Sequence, residues 1–191
     1  MRTKALDPRL ASYIERVRAI AGAPLSEVAK LRRVREAARE LVSQPLRIAP
    51  EDRRHPPAGY GRNLLHKDPD SGFVVIAMVW PAGQGGLPHD HGCWGVVAVA
   101  EGEVEVTNFE REDDGRDPRR AKLNPLGTIR ATTGAVAWVL PPHEDFHSVV
   151  NPSREHAALT IHTYGREPRE FTRVELTSGA ASIGNLVYDN A

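Results

Sequence analysis

Apolar positions along the chain change their spacing near residue 45, and that change divides the sequence into two regimes. Before it, Leu10, Tyr13, Ile14, Val17 and Ile20 recur at helical intervals, and so do Val28, Leu31, Val34, Ala38 and Leu41. Asp7 and Pro8 predict the start of a first helix, the aspartate as cap and the proline in the first turn. Gly22 predicts its end. A second helix is expected from near Ser26 to Pro45, its arginines and glutamates forming a solvated face. Prolines at 50, 56 and 57 then mark an irregular connection. From Tyr60 onward the apolar runs are short, β-branched and broken by turn residues. They predict strands at 60–66, 73–80, 91–100, 103–110, 128–131, 135–140, 146–150 and 157–164. Residues 68–72, Asp-Pro-Asp-Ser-Gly, read as a hairpin turn. The charged run 112–120 reads as an exposed loop, and 171–176 and 183–188 as further strands at a rim. Many short strands argue an antiparallel barrel or jelly roll, so the expected class is mainly β with two N-terminal helices. The expected organisation is a helical extension, 1–45, packed on a barrel, 46–191, as a single domain.

Charge and cysteine content narrow the function. The chain has 191 residues, with 25 basic and 25 acidic side chains and a formal net charge of zero. No electrostatic footprint for nucleic acid or an anionic membrane is present. One cysteine, Cys93, leaves no internal disulfide and fits a reducing compartment. No apolar run reaches membrane-spanning length, and residues 1–8 lack the apolar core of a signal peptide. A soluble cytoplasmic protein is expected.

Two constellations carry candidate chemistry. His89 and His91 stand two apart after a glycine-rich turn, a spacing that in a strand aims both imidazoles to one side. A third histidine, His147, stands in a later strand-like segment, with His143 as a rival four residues upstream. Neutral imidazoles suit iron, zinc, copper and nickel. In 157–164, Thr160, His162 and Tyr164 alternate along one face, and a hydroxyl, an imidazole and a phenol in line can form a hydrogen-bond relay. A satisfied core network would look the same from sequence. Gly83, five residues, His89-x-His91 and later Gly102 resemble the first cupin motif. Pro142, His147 and Asn151 resemble its second, looser half. That resemblance implies a cupin, a double-stranded β-helix or jelly-roll barrel. Gly95 fills the slot where a cupin normally carries a glutamate ligand, leaving three neutral ligands that favour an electron-donating thiolate. A three-histidine zinc site activating water is the competing reading.

Together, "YGRNLL", "HDHGCWGVVAVAEG", "FHSVVN" and "LTIHTYG" resemble the type I cysteine dioxygenase family, the cupin thiol dioxygenases that include 3-mercaptopropionate dioxygenase. The resemblance implies Fe(II) on His89, His91 and His147, and a relay of Thr160, His162 and Tyr164 with threonine in place of serine. It implies oxidation of a small thiol by O2 to its sulfinate. Some members link a cysteine to the relay tyrosine. The aligned position here is Gly95, with Cys93 offset by two, so Tyr164 is expected to be unmodified. Two arginines could hold a substrate carboxylate, Arg62 near Tyr60 and Arg173 beyond the relay strand. The first resembles the cysteine-oxidising branch and the second the mercaptopropionate branch. Cysteine held by Arg62 is the leading expectation. A non-catalytic metal-binding cupin, a zinc hydrolase and a manganese isomerase on the same barrel are the alternatives.

Overall fold

A computed structural model describes residues 6–141 and 145–191. Two helices open the chain, α1 (Pro8–Gly22) and α2 (Glu27–Leu41). Asp7 caps α1 by accepting the Arg9 N–H at 2.9 Å, and Ser26 caps α2 through Ala29 N at 3.3 Å. All five apolar positions expected on α1 are buried. On α2 the buried stripe is Leu31, Val34, Ala37, Ala38 and Leu41. Val28, expected on that face, is 43% exposed. It lies in the first turn, and the other five positions complete an inward stripe without it.

Ten strands follow: β1 (Gly61–Lys67), β2 (Val74–Trp80), β3 (Gly95–Glu101), β4 (Glu103–Arg111), β5 (Leu123–Thr132), β6 (Val136–Val139), β7 (His147–Val150), β8 (Ala158–Tyr164), β9 (Glu170–Val174) and β10 (Ala181–Asn185). They form three antiparallel sheets, ordered β1-β2-β8-β3-β6, β5-β4-β7 and β10-β9. Two expectations need correcting. β3 begins at Gly95 rather than at residue 91, so both motif histidines precede the strand in irregular backbone. β5 is longer than 128–131, because Pro125 and Gly127 disguise its first half. They sit opposite the bulge at Asn108/Phe109 on β4, where an edge strand tolerates them.

The five-stranded sheet is covered on both faces, which is why β2 and β8 are buried along their whole length. Phe73, Val75, Ala77 and Val79, with Leu159 and Ile161, pack in one cluster with α1 and α2. On that face the Tyr13 and Thr163 hydroxyls hydrogen-bond at 2.7 Å, tying α1 to β8. Val74, Ile76, Met78 and Trp80 share a second cluster with Tyr164 inside the barrel. Arg18 of α1 donates to Asp68 at 2.8 Å, and Asp68 also accepts from Ser71 N and Oγ, holding the β1–β2 turn. No helix of the described residues is long and apolar enough to cross a membrane.

Candidate metal centre

β9 fastens the histidine segment. Val174 N donates to the Pro88 carbonyl at 2.9 Å, Asp90 N to that of Thr172 at 3.2 Å, and Thr172 N to the Asp90 carboxylate at 2.6 Å. His89 and His147 exchange two backbone hydrogen bonds, at 2.9 and 3.1 Å. This two-way bridge sets their side chains together, so the pairing is tertiary rather than an alternation within one strand. One ring nitrogen from each of His89, His91 and His147 lies within 4.8 Å of the others. His143, the rival, and Pro142 lie outside the described residues.

The donor set fits a metal cation. Asp145 accepts from His91 Nδ1 at 3.0 Å, which makes Nδ1 the protonated nitrogen and leaves Nε2 with its lone pair. That Nε2 is buried and has no hydrogen-bond partner, a costly arrangement unless a ligand takes the lone pair. Similarly, His89 Nδ1 donates to the Leu87 carbonyl at 2.9 Å. Burial, then the proximity of His91, holds His89 down at about 3, and the same causes hold His147 well below the ordinary imidazole value. Neutral rings are the form that binds metal. Asp145 also accepts from the His91 and Gly92 backbone N–H groups, each at 3.0 Å, so one carboxylate clamps both ends of His91.

The three relay residues are brought together beside this cluster. Thr160 Oγ1 is 2.8 Å from His162 Nε2, and His162 Nδ1 is 3.0 Å from the Tyr164 hydroxyl. All three are buried, and the Tyr164 ring stacks on His91 with centroids 5.2 Å apart. Burial pushes the Tyr164 phenol well above its usual range and His162 well below its own, so both are neutral. Arg62 and Tyr60 line the same pocket as the three histidines. The Arg62 guanidinium donates to the Tyr60 hydroxyl and lies 5.4 Å from the Phe171 ring centroid. It makes no ion pair among the described residues. Arg173 is exposed, is absent from that pocket lining, and approaches the Phe171 ring at 5.8 Å. The backbone of Arg62 is pinned on both sides by Asp189: its N–H donates to the Asp189 carboxylate and its carbonyl accepts from the Asp189 N–H, each at 2.7 Å. Cys93 points to the Arg166 carbonyl, 3.5 Å from its sulfur, and Gly95 faces the Tyr164 ring.

The family model described as "Cysteine dioxygenase type I" matches residues 19–172. The chain belongs to that family. Its sheets are the double-stranded β-helix expected of a cupin. Among solved structures, the chain is similar to an uncharacterized conserved protein with a double-stranded β-helix domain from Klebsiella pneumoniae, at 17% identity and a TM-score of 0.47. That match covers 68% of this chain and 97% of the other. The TT1209 protein of Thermus thermophilus matches at 18% identity and a TM-score of 0.46, covering 64% of this chain and 99% of the other. For the cupin domain of Schizosaccharomyces pombe Cnp3 the values are 19% and 0.41, over 56% of this chain and 61% of the other.

Three residues of this site escaped the sequence reading: Asp145, Trp80 and Phe171. Asp145 had a local signal, since it stands two before His147. Trp80 had none, because its partner Thr160 is 80 residues away.

Proposed function

We propose that this protein is an iron-dependent thiol dioxygenase that converts a small thiol carboxylate, foremost L-cysteine, to its sulfinate. The carrying observation is the Arg62 guanidinium, without an ion pair among the described residues and in one pocket with three convergent imidazoles and the Tyr164 phenol. His89, His91 and His147 would hold the metal. Iron held there would supply open positions for a thiolate and for dioxygen, and the balance is simple: RSH and O2 give RSO2H with no co-reductant. The residues supply the rest. Arg62 anchors the carboxylate as a planar, permanently charged donor, with Tyr60 fixing the guanidinium. Tyr164 offers a neutral O–H donor to the reacting end of the substrate. Met78, Trp80 and Phe171 add apolar wall that limits water around reactive species.

Arg173, which approaches the same Phe171 ring at 5.8 Å, supports 3-mercaptopropionate as a second reading. Metal analysis of protein purified without added metal, coupled to oxygen uptake on a panel of cysteine, 3-mercaptopropionate and cysteamine, tests the proposal. Iron and stoichiometric sulfinate are expected. Losing an anchoring charge costs roughly 2–5 kcal/mol, so Arg62→Ala should lose about thirtyfold or more in kcat/KM for cysteine. The loss should be much smaller for cysteamine, which has no carboxylate. Zinc with no oxygen uptake would refute the reading. Intact cysteine kinetics in Arg62→Ala with loss in Arg173→Ala would move the substrate to 3-mercaptopropionate.

A further inference from the structure

Trp80, on β2, is 1% exposed and sits between the two functional groups of side chains. Its indole Nε1 donates to Thr160 Oγ1 at 2.8 Å. Its ring face stacks under Tyr60, with centroids 4.4 Å apart and planes at 22°. The β2–β8 ladder pairs Met78 with Thr160 and Ile76 with His162, so the indole reaches diagonally across the register to the far end of the relay.

The first bond has a directional consequence. An indole N–H can only donate. Thr160 must therefore accept from Trp80, and its single proton is left for another partner. Among the described residues that partner is His162 Nε2, at 2.8 Å. A nitrogen that accepts is unprotonated, so in the neutral ring Nδ1 carries the hydrogen. Nδ1–H then donates to the Tyr164 oxygen at 3.0 Å. The phenol proton is thereby released from the relay. No other partner for the Tyr164 hydroxyl exists among the described residues, and it opens on the pocket with the three histidines.

We propose that Trp80 is a positioning residue that sets the direction of the Thr160–His162–Tyr164 relay, making Tyr164 a hydrogen-bond donor toward the reacting centre. Reversed, the relay would spend the phenol proton on His162 and present only an acceptor to the pocket. The tautomer half of this inference stands on hydrogen-bond geometry alone. The kinetic half rests on the thiol dioxygenase reading.

The test begins with nitrogen NMR of the full chain, histidine-labelled and freed of paramagnetic metal. In the unsubstituted protein, His162 should show an unprotonated Nε2 and a protonated Nδ1. Trp80→Phe keeps an aromatic ring beneath Tyr60 and removes the N–H donor together with part of the indole. It should lose the single Nδ1–H form, giving a mixed or reversed tautomer. Thr160→Val, close in shape, should do the same and guards against misfolding of the tryptophan variant. Thr160→Ser should retain the Nδ1–H form. In turnover, Trp80→Phe should lower kcat about tenfold or more, the scale for a positioned proton donor. KM for the thiol carboxylate should stay within about twofold, because the Tyr60–Arg62 anchor keeps its support. A protonated Nε2 in the unsubstituted protein, or an unchanged Nδ1–H form in folded Trp80→Phe, would overturn the assignment. A changed tautomer with unchanged kcat would overturn the role in turnover. Absence of thiol oxidation by the unsubstituted protein would refute the enzyme reading instead, with the tautomer result standing separately.

Discussion

Asp145→Asn isolates what one buried carboxylate does for His91, a proposed metal ligand. Asp145 accepts three hydrogen bonds, two on Oδ1 from His91 N and Nδ1 and one on Oδ2 from Gly92 N, all at 3.0 Å. Asparagine has the same shape but only one accepting oxygen. If that oxygen faces His91, the new amide N–H2 confronts the Gly92 N–H. If it faces Gly92, His91 loses both of its contacts and Nδ1 no longer has a reason to keep its proton. Hydrogen bonds to a charged group are each worth about 1.5–3 kcal/mol, so the substitution removes at least one of these and weakens the others. Losing such an outer partner of a ligating histidine costs about 10–100-fold in metal affinity, or about 1.4–2.8 kcal/mol. The two ranges overlap, as they should if the bonds act mainly by orienting His91. Competition against a chelator of known affinity, using zinc or ferrous iron and a thermal melt of each sample, measures this directly. The melt of the metal-free form should fall only modestly, while the stabilisation gained on adding metal shrinks. Metal affinity unchanged within about twofold would refute the reasoning, since an oriented His91 Nε2 is its central element.

Other outcomes follow from the same geometry. Tyr164→Phe removes one hydroxyl and should lower the rate about tenfold to a thousandfold while leaving the melt near that of the parent; an unchanged rate would reduce the relay to core packing. A Cβ at Gly95 would lie 2.7 Å from Tyr164 Cδ1 and 2.8 Å from Cε1. Gly95→Ala should therefore destabilise by about 1–3 kcal/mol and displace the phenol, visible as a lowered Tm together with lowered kcat. In the parent protein, peptide mass mapping should find Tyr164 unmodified, because Cys93 sulfur is directed to the Arg166 carbonyl; a Cys93–Tyr164 peptide lighter by two hydrogens would contradict this. The Arg18 hydrogen bond, then those from Ser71, hold the Asp68 carboxyl far below its ordinary 3.8. A depressed folded value gives stability that is present above pH 3.8 and is lost as pH falls below it. Asp68→Asn should therefore flatten the acid limb of the stability curve, and an unchanged limb would assign acid unfolding to other carboxylates.

What could be read from sequence was whatever lies along one strand or one helix. Thr160, His162 and Tyr164 were legible as a line because β8 has period two and each residue's partner is its next same-face neighbour. The helix stripes were legible for the same reason, apart from Val28 at the fraying end of its pattern. His89 and His91 were also expected to converge, and their rings do, although the expected cause, alternation within a strand, is not what orients them. Irregular backbone holds them through β9, the His147 bridge and Asp145. Asp145 and Trp80 act across 54 and 80 residues of chain, so no local window contains both partners. The pairing of β2 with β8, which are far apart in sequence, is what brings Trp80 to Thr160. In the strand order β2-β8-β3, β8 receives Trp80 from β2 on one side and packs Tyr164 over Gly95 of β3 on the other. Sequence alternation therefore identifies the relay residues but leaves the direction of their hydrogen bonds open. That direction depends on the donor arriving from the neighbouring strand, so a variant of Trp80 can alter the chemistry of β8 without changing any residue in it.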